Sequence, residues 1–538
     1  MTAFEHALLL LLLVAGLSVV ARWLPWPQLI TYLLGGVGAA YLPDFPRFNL
    51  DPGFFFLCFL PPLLFSDGWL MPLRELFRAK RPILLLSVGL VAFTTILVGV
   101  VAHWIVPGLP LSMAFALGAI ISPTDAVAVN AVTERLRVPA RLTTILNGES
   151  LLNDATGLVG FKFALAAAVA GGFSLRLMAL EFSLLALGGF AVGLAAGYGI
   201  GRLRDLLRSL RASDTLIEVT LSLMTPYAAY LLAERLGVSG VLSVVAAGLY
   251  SGWRDPVRMD AETRQNAYGV WSLLIFWLNG IAFVLLGLQF PALMSAVYRE
   301  FTAPRLLEFV AVVAGTAIAA RMVWVFPGAY LPFLLPGVRA REIRPVPALV
   351  LVTSWAGMRG TVTLAAALSI PLFMPDGLPF PGRDIVIFLA FGVIASTLAI
   401  QGTTLEWLIR RLGIREDEDR PKEERLARMT AVEAGLGALR ALKASAATAD
   451  QSAALGLVTA EYEQRLAVLT AEGETQRSAH RRRSAGHRFR VAAIKAEREA
   501  LDGLWRSGAI IDEVHRPLQQ LLDHEESILR GSAPEPEE

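Results

Sequence analysis

From Ala7 to Arg411 the chain alternates long apolar runs with short breaks carrying Arg, Pro or Gly, and beyond that point it turns polar and rich in Arg, Glu and Ala. About 20 residues of apolar helix cross a hydrocarbon core. Thirteen runs of that kind begin near Ala7, Gln28, Pro52, Pro82, Leu111, Leu142, Leu177, Thr215, Val238, Gly269, Arg305, Pro347 and Asp384. Two are short, and the eighth and ninth are separated only by residues 233–237. The predicted class is an all-α polytopic membrane protein with 13 transmembrane helices. It divides into a transmembrane domain, residues 1–411, and a helical cytoplasmic tail, residues 412–538, with the change marked by the charged segment 414–420.

Basic residues test the number of spans, because cytoplasmic loops are enriched in Lys and Arg. Loops after odd-numbered runs hold eighteen of them, including Arg74, Arg78, Lys80, Arg81, Arg202, Arg204, Arg208 and Arg211, whereas loops after even-numbered runs hold six. One missed or invented span would scramble this alternation. The expectation is therefore an N-terminus outside, a tail in the cytoplasm, and residence in a bacterial inner membrane. The first run has no basic segment before it and many spans after it, so it reads as a retained helix and not a cleaved signal.

Two of the runs are interrupted. The fifth is broken by Ser122-Pro123-Thr124-Asp125 and the twelfth by Gly357-Met358-Arg359-Gly360. If the first six spans mirror the last six around a lone linker, the breaks fall in equivalent spans. Paired interruptions of this kind point to the midplane site of a transporter built from inverted repeats.

Ionisable residues cluster at the same depth. A charge at the bilayer centre costs roughly 2.5–3.5 kcal/mol on insertion scales, so each is a functional candidate. With a rise of about 1.5 Å per residue, Asp154 lies about 20 Å inside the sixth span, and Asp125 and Arg359 reach the same layer. In the sixth span Glu149 and Asn153 are four residues apart, as are Ser150 and Asp154, so the four share one helical face. Glu149 and Arg321 lie about 12 and 15 Å from the cytoplasmic edge, which predicts a buried structural ion pair. Arg359 is expected to neutralise Asp125 or the helix ends at the break, leaving Asp154 for a mobile cation. The Asp154 carboxylate, the Ser150 hydroxyl, the Asn153 amide and the Thr124 carbonyl are hard oxygen donors suited to an alkali cation. Asp67, beside Ser66 in the third span, is a candidate for the cytoplasmic funnel to this site. Lys162 is expected to snorkel and His103 to be structural.

Composition narrows the remaining classes. The chain is 55% hydrophobic and 17% charged, and its net charge of +2 says little about partners. Its single cysteine, Cys58, excludes disulfides and thiolate metal clusters, and its six histidines form no ligand-spaced pair. No resident metal or cofactor is expected. The basic stretch 480–483 reads as a solvated face, and nucleic acid is not expected as a partner.

Ser122–Asp125, the segment Gly148-Glu-Ser-Leu-Leu-Asn-Asp154, Gly357–Gly360 and Leu60-Pro-Pro-Leu-Leu-Phe65 together resemble the signature segments of the cation/proton antiporters related to bacterial NhaP and to animal sodium/proton exchangers. The resemblance covers residues 1–411. It implies a homodimer in which a six-helix core moves against a dimerisation domain. It further implies that Asp154 is the shared cation and proton site with Asn153 as its neighbour in an Asn-Asp pair, that Thr124, Asp125 and Ser150 complete or support it, and that Glu149 and Arg321 form a buried pair. Relatives often carry an acid where this chain has Ser66, which leaves the role of Asp67 open.

The expected function is exchange of Na⁺ for H⁺ by alternating access, electroneutral and one for one, serving pH and sodium homeostasis. The alternative is the same machinery preferring K⁺, with Li⁺ a further candidate cargo. A membrane sensor, or an intramembrane enzyme for which the sequence shows neither nucleophile and base nor metal dyad, are the other classes. In the tail, Leu426, Met429, Leu436, Leu439 and Leu442, and further on Leu501, Leu504, Leu518 and Leu521, follow helical spacing and predict a small helical module, a candidate regulator of the membrane domain.

Overall fold

A computed structural model describes residues 3–24, 26–43, 45–46, 52–136, 138–170, 175–339, 344–414, 419–442, 448–470, 473–507 and 509–531. Among these residues there is no strand, only one isolated bridge between Phe373 and Pro379. The chain divides into two compact units, Met1–Glu416 and Asp417–Glu538.

The first unit begins with α1 (Ala3–Ala21), α2 (Gln28–Ala40) and α3 (Pro52–Leu70). Next come α4 (Lys80–Ile105), which carries a π-helical turn at Leu85–Leu90, then α5 (Leu111–Ile121) and α6 (Ala126–Leu136). The middle of the unit holds α7 (Ala140–Ala170), α8 (Leu175–Ser209), α9 (Thr215–Arg235), α10 (Gly240–Arg258) and α11 (Ala261–Val297). It closes with α12 (Ala303–Tyr330), α13 (Pro347–Trp355), α14 (Thr361–Leu368) and α15 (Arg383–Arg411). Eight helices among the described residues are long and apolar enough to cross a membrane, and Glu5–Ala21, Gln28–Ala40 and Phe56–Leu70 are shorter apolar helices. The two remaining apolar runs of the sequence correspond to α10 and to the broken pair α13–α14.

Local chemistry explains several helix ends. Asp214, Ser239 and Asp260 each accept a hydrogen bond from the backbone N–H three residues on, capping α9, α10 and α11. The Asp260 cap starts α11 at Ala261, two turns before the apolar run near Gly269, because its first residues are polar but helix-compatible. A second departure concerns the basic residues. Arg202, Arg204 and Arg208 were expected in a loop but lie on the last turns of α8, and Arg254 and Arg258 end α10. The reason is pairing. Buried Arg204 bonds Asp255 of α10 at 2.9 Å and Glu218 of α9 at 3.4 Å, Arg208 also pairs with Glu218, and the Trp69 indole of α3 donates to Asp255 at 3.2 Å. Arg137 and Arg341 of the expected basic loops lie outside the described residues.

Packing sorts the first unit into two groups. α1, α2, α3 and α8–α11 pack mainly on one another, and so do α4–α7 with α12–α15. Helices surrounded by lipid gain no hydrophobic driving force from meeting, so close approach through small residues holds them. In the first group α2 lies backbone to backbone against α11: a Cβ on Gly287 would stand 2.3 Å from the Leu33 carbonyl oxygen. The same close approach joins α3 to α10, where Gly248 faces the Phe65 carbonyl. In the second group Gly118 of α5 faces the Thr95 carbonyl of α4.

The second unit consists of α16 (Asp419–Leu442), α17 (Ala449–Thr470), α18 (Gly473–Arg506) and α19 (Asp512–Gly531). α16 pairs with α17 and α18 with α19. Leu436, Ile494 and Leu522 are buried, whereas Leu426, Leu442, Leu504, Leu518 and Leu521 are exposed. The apolar spacing read in the tail therefore selected the wrong side of α19, where Leu522 and not Leu521 turns inward. Arg498 bridges Asp523 and Glu526 at 2.7 Å each, and His515 bonds Asp502 at 2.9 Å while stacking on Trp505. The side chains of the basic stretch 480–483 lie outside the described ones.

Candidate cation-binding site

The two breaks cross. Pro123 has no N–H to carry the hydrogen-bond ladder onward, so α5 ends at Ile121 with Ser122, still helical, as its cap, and α6 resumes at Ala126. The Gly-rich segment after Trp355 does the same between α13 and α14. The Asp125 N–H donates to the Met358 carbonyl oxygen at 2.8 Å, tying one break to the other.

Four helix ends meet at this crossing, and one charged side chain serves each pair of ends. The Asp125 carboxylate accepts from the Val127 N–H at 2.8 Å and the Thr361 N–H at 3.4 Å, so it sits at the N-termini of both α6 and α14. Gly360 makes that approach possible, since a Cβ there would lie 1.5 Å from an Asp125 carboxylate oxygen. Arg359 does the converse: its Nε donates to the Ile121 carbonyl, the end of α5, at 3.0 Å, and Nη1 donates to the Gly357 carbonyl just past α13. Of the two roles open to Arg359, the structure selects the helix ends; no ion pair joins it to Asp125 among the described residues.

A second network supports α7. Arg321 of α12 grips both carboxylate oxygens of Glu149, with Nη2 at 2.8 Å from Oε2, and both residues are 1% exposed. Arg321 also donates to the Thr353 carbonyl at the end of α13, at 3.0 Å from Nε and 2.9 Å from Nη2. Thr124 donates its hydroxyl to Glu149 at 3.2 Å and accepts from the Asn153 amide at 2.9 Å. The Ser150 hydroxyl oxygen accepts from the Ala126 N–H at 3.1 Å. Thr124, Asn153 and Ser150 thus also hold α7 against the first break, while the Asn153 Oδ1 is buried with no partner among the described residues.

Asp154 differs from all of these. It is 5% exposed, yet no described group hydrogen-bonds or pairs with its carboxylate. It faces a cavity shared with Asp67, Asp125, Thr124 and Ser150 from the sequence set. Ser66 is not part of that wall; its hydroxyl bonds back to the Leu63 carbonyl at 2.7 Å. The opposite wall includes Ile275 and Asn279 of α11, one turn apart on one face. Asn279 was missed because a single amide in an apolar run carries no charge and no motif. Lys162 pairs with Glu234 at 3.2 Å, and His103 bonds the Leu109 carbonyl at 2.8 Å, both away from the cavity.

A multi-pass helical bundle with crossed, interrupted helices and a buried, unpaired carboxylate at the crossing defines a secondary cation transporter. Residues 9–411 match the transmembrane sodium/hydrogen exchanger family, and the chain belongs to that family. It is an antiporter and not an enzyme. It is 36% identical over 541 residues to the sodium, potassium, lithium and rubidium/H⁺ antiporter of Bacillus subtilis (strain 168), covering 98% of this chain and 78% of that protein. It is 34% identical over 554 residues to the uncharacterized Na⁺/H⁺ exchanger YjcE of Escherichia coli (strain K12), covering 98% and 99%. The fold resembles that of the sodium proton antiporter MjNhaP1 from Methanocaldococcus jannaschii, with a TM-score of 0.58 at 20% identity, over 77% of this chain and 99% of that one.

Proposed function

We propose that this protein exchanges Na⁺ for H⁺ one for one at Asp154, in a bacterial inner membrane, as a homodimer with its N-terminus outside and its tail inside. The observation that carries the reading is the unpaired Asp154 carboxylate in a cavity at the crossing. A buried carboxylate with no partner needs a cation or a proton, and either satisfies it. The two therefore compete for one group, and the loaded core moves while the empty, charged one does not. Core movement is supported by the division of packing, since Asp154 and both breaks lie on α4–α7 and α12–α15 while α3 and α11 form the facing wall. Hard oxygens in the cavity suit Na⁺ and Li⁺, and also K⁺. The name of the Bacillus relative includes all three. Asp67 lines the approach, Asp125 and Arg359 hold the crossing, and the tail is a separate regulatory module.

The test is Asp154→Asn in everted vesicles, read as dequenching of a ΔpH dye on addition of Na⁺, Li⁺ or K⁺. The substitution should abolish cation-dependent proton movement at normal expression and insertion. Exchange at the wild-type rate from a well-expressed Asp154→Asn protein would remove Asp154 from the mechanism, and the wild-type response to each cation ranks Na⁺ against K⁺.

A further inference from the structure

Asn279 is 5% exposed, lines the same cavity as Asp154, and has no described hydrogen-bond partner. A buried carboxamide is ordinarily satisfied by protein or ordered water, so its partner belongs to whatever fills the cavity. It differs from the neutral oxygens nominated by the sequence. The Thr124 hydroxyl is already bonded to Glu149 and Asn153, the Ser150 oxygen already accepts from Ala126, and the Thr124 carbonyl belongs to the first break and not to the facing wall. The Asn153 Oδ1 is buried without a partner, but Asn153 is not part of the cavity wall.

Its position is also built. The neighbouring residue, Gly280, lies against Val14 of α1 and Tyr32 of α2, where a Cβ would stand 2.5 Å from a Val14 methyl. One turn before, Ile275 faces the cavity, so Asn279 shares the inward face of α11. Thr361 and Thr363 line the cavity as well, but they stand on α14, in the packing group of Asp154. Asn279 stands on the facing group, tied to α2 through Gly36 and Gly287.

We propose that Asn279 is a specificity-determining residue of this antiporter, its carboxamide oxygen contacting the cation from the wall opposite Asp154. The inference rests on the reading of Asp154 as the cation site. A carbonyl oxygen is a hard neutral ligand that contributes to holding Na⁺ or Li⁺, whereas protonation of Asp154 needs no such ligand. Because the amide belongs to the facing group, the contact forms when the core presents its cargo to this cavity and is left behind when the core moves. Asn279 then sets cation affinity and choice on one side of the membrane while leaving the proton step untouched.

The test uses full-length protein in proteoliposomes. Asn279→Ala should raise the apparent KM for Na⁺ by about tenfold, the change expected from loss of one ligand near 1.4 kcal/mol, and alter the ratio of Na⁺ to K⁺ KM values. Maximal rate at saturating cation and the pH of half-maximal rate under that condition should stay at wild-type values. Asn279→Asp, which keeps an oxygen at the same position, should restore a low Na⁺ KM. If Asn279→Ala fails to fold, Asn279→Leu, close to asparagine in shape and without an oxygen, gives the same comparison, and the rise in Tm produced by Na⁺ should be smaller than in wild type. Unchanged cation KM values and selectivity, or a loss confined to maximal rate, would overturn the proposal. Failure of the underlying reading has a different signature, namely exchange that survives Asp154→Asn.

Discussion

Transport is predicted to ignore the membrane potential. Asp125 carries one negative charge and sits at two helix N-termini, while Arg359 carries one positive charge and sits at two helix C-termini. Each terminus is equivalent to roughly half an elementary charge of the opposite sign. The crossing is thus close to neutral on both sides without any bond between the two side chains. Glu149 and Arg321 cancel directly. Asp154 remains, and Na⁺ and H⁺ each cancel it equally. Asp67 lies on α3, in the facing group, so its charge does not travel with the core. One unbalanced charge per cycle would couple to about 2.3 kcal/mol at 100 mV, which shifts the limiting Na⁺ gradient roughly 40-fold at about 1.4 kcal/mol per decade. Proteoliposomes clamped with valinomycin should show equal Na⁺/H⁺ exchange at zero and at about −100 mV, with the same K⁺ gradient lacking valinomycin as the control for K⁺ transport. Na⁺ flux that follows the potential and carries current would refute the single-carboxylate count and implicate Asp67 or Asp125 as a second titrating group.

Arg321→Ala leaves the Glu149 carboxylate buried alone, and Glu149→Gln leaves the guanidinium so; each should cost about 3–5 kcal/mol. Thermal unfolding of purified protein checks this, with the charge-swapped double variant recovering part of the loss; wild-type Tm values in both single variants would show that the pair does not support the fold. Competition at Asp154 predicts that exchange rises with pH and that lowering the pH raises the apparent KM for Na⁺ with little change in maximal rate. Initial rates across a pH and Na⁺ matrix decide it, and a pH effect confined to maximal rate would count against a shared carboxylate.

The helical segments of the membrane unit were legible in the sequence because a bilayer imposes one-dimensional rules: run length, basic residues at one edge, and a penalty for charge inside. The same rules give depth, and depth brought Glu149 and Arg321 together before any fold was known. Depth is only one coordinate, however. Asp125 and Arg359 share a layer, yet which of them meets which helix end depends on how the two breaks cross, and that is set by packing between segments more than 200 residues apart. Rotation about each helix axis is equally hidden: Ser66 and Asp67 are adjacent, but the hydroxyl bonds its own helix while the carboxylate reaches the cavity. Arg204 read only as one residue of a basic loop, and its pairing with Asp255 and Glu218 beside Trp69 stayed hidden, because no local pattern shows that α3, α8, α9 and α10 converge there. Asn279 was hidden for the same reason. A lone amide in an apolar helix gains meaning only from what faces it, and what faces it here is a carboxylate 125 positions earlier, on a helix of the other packing group.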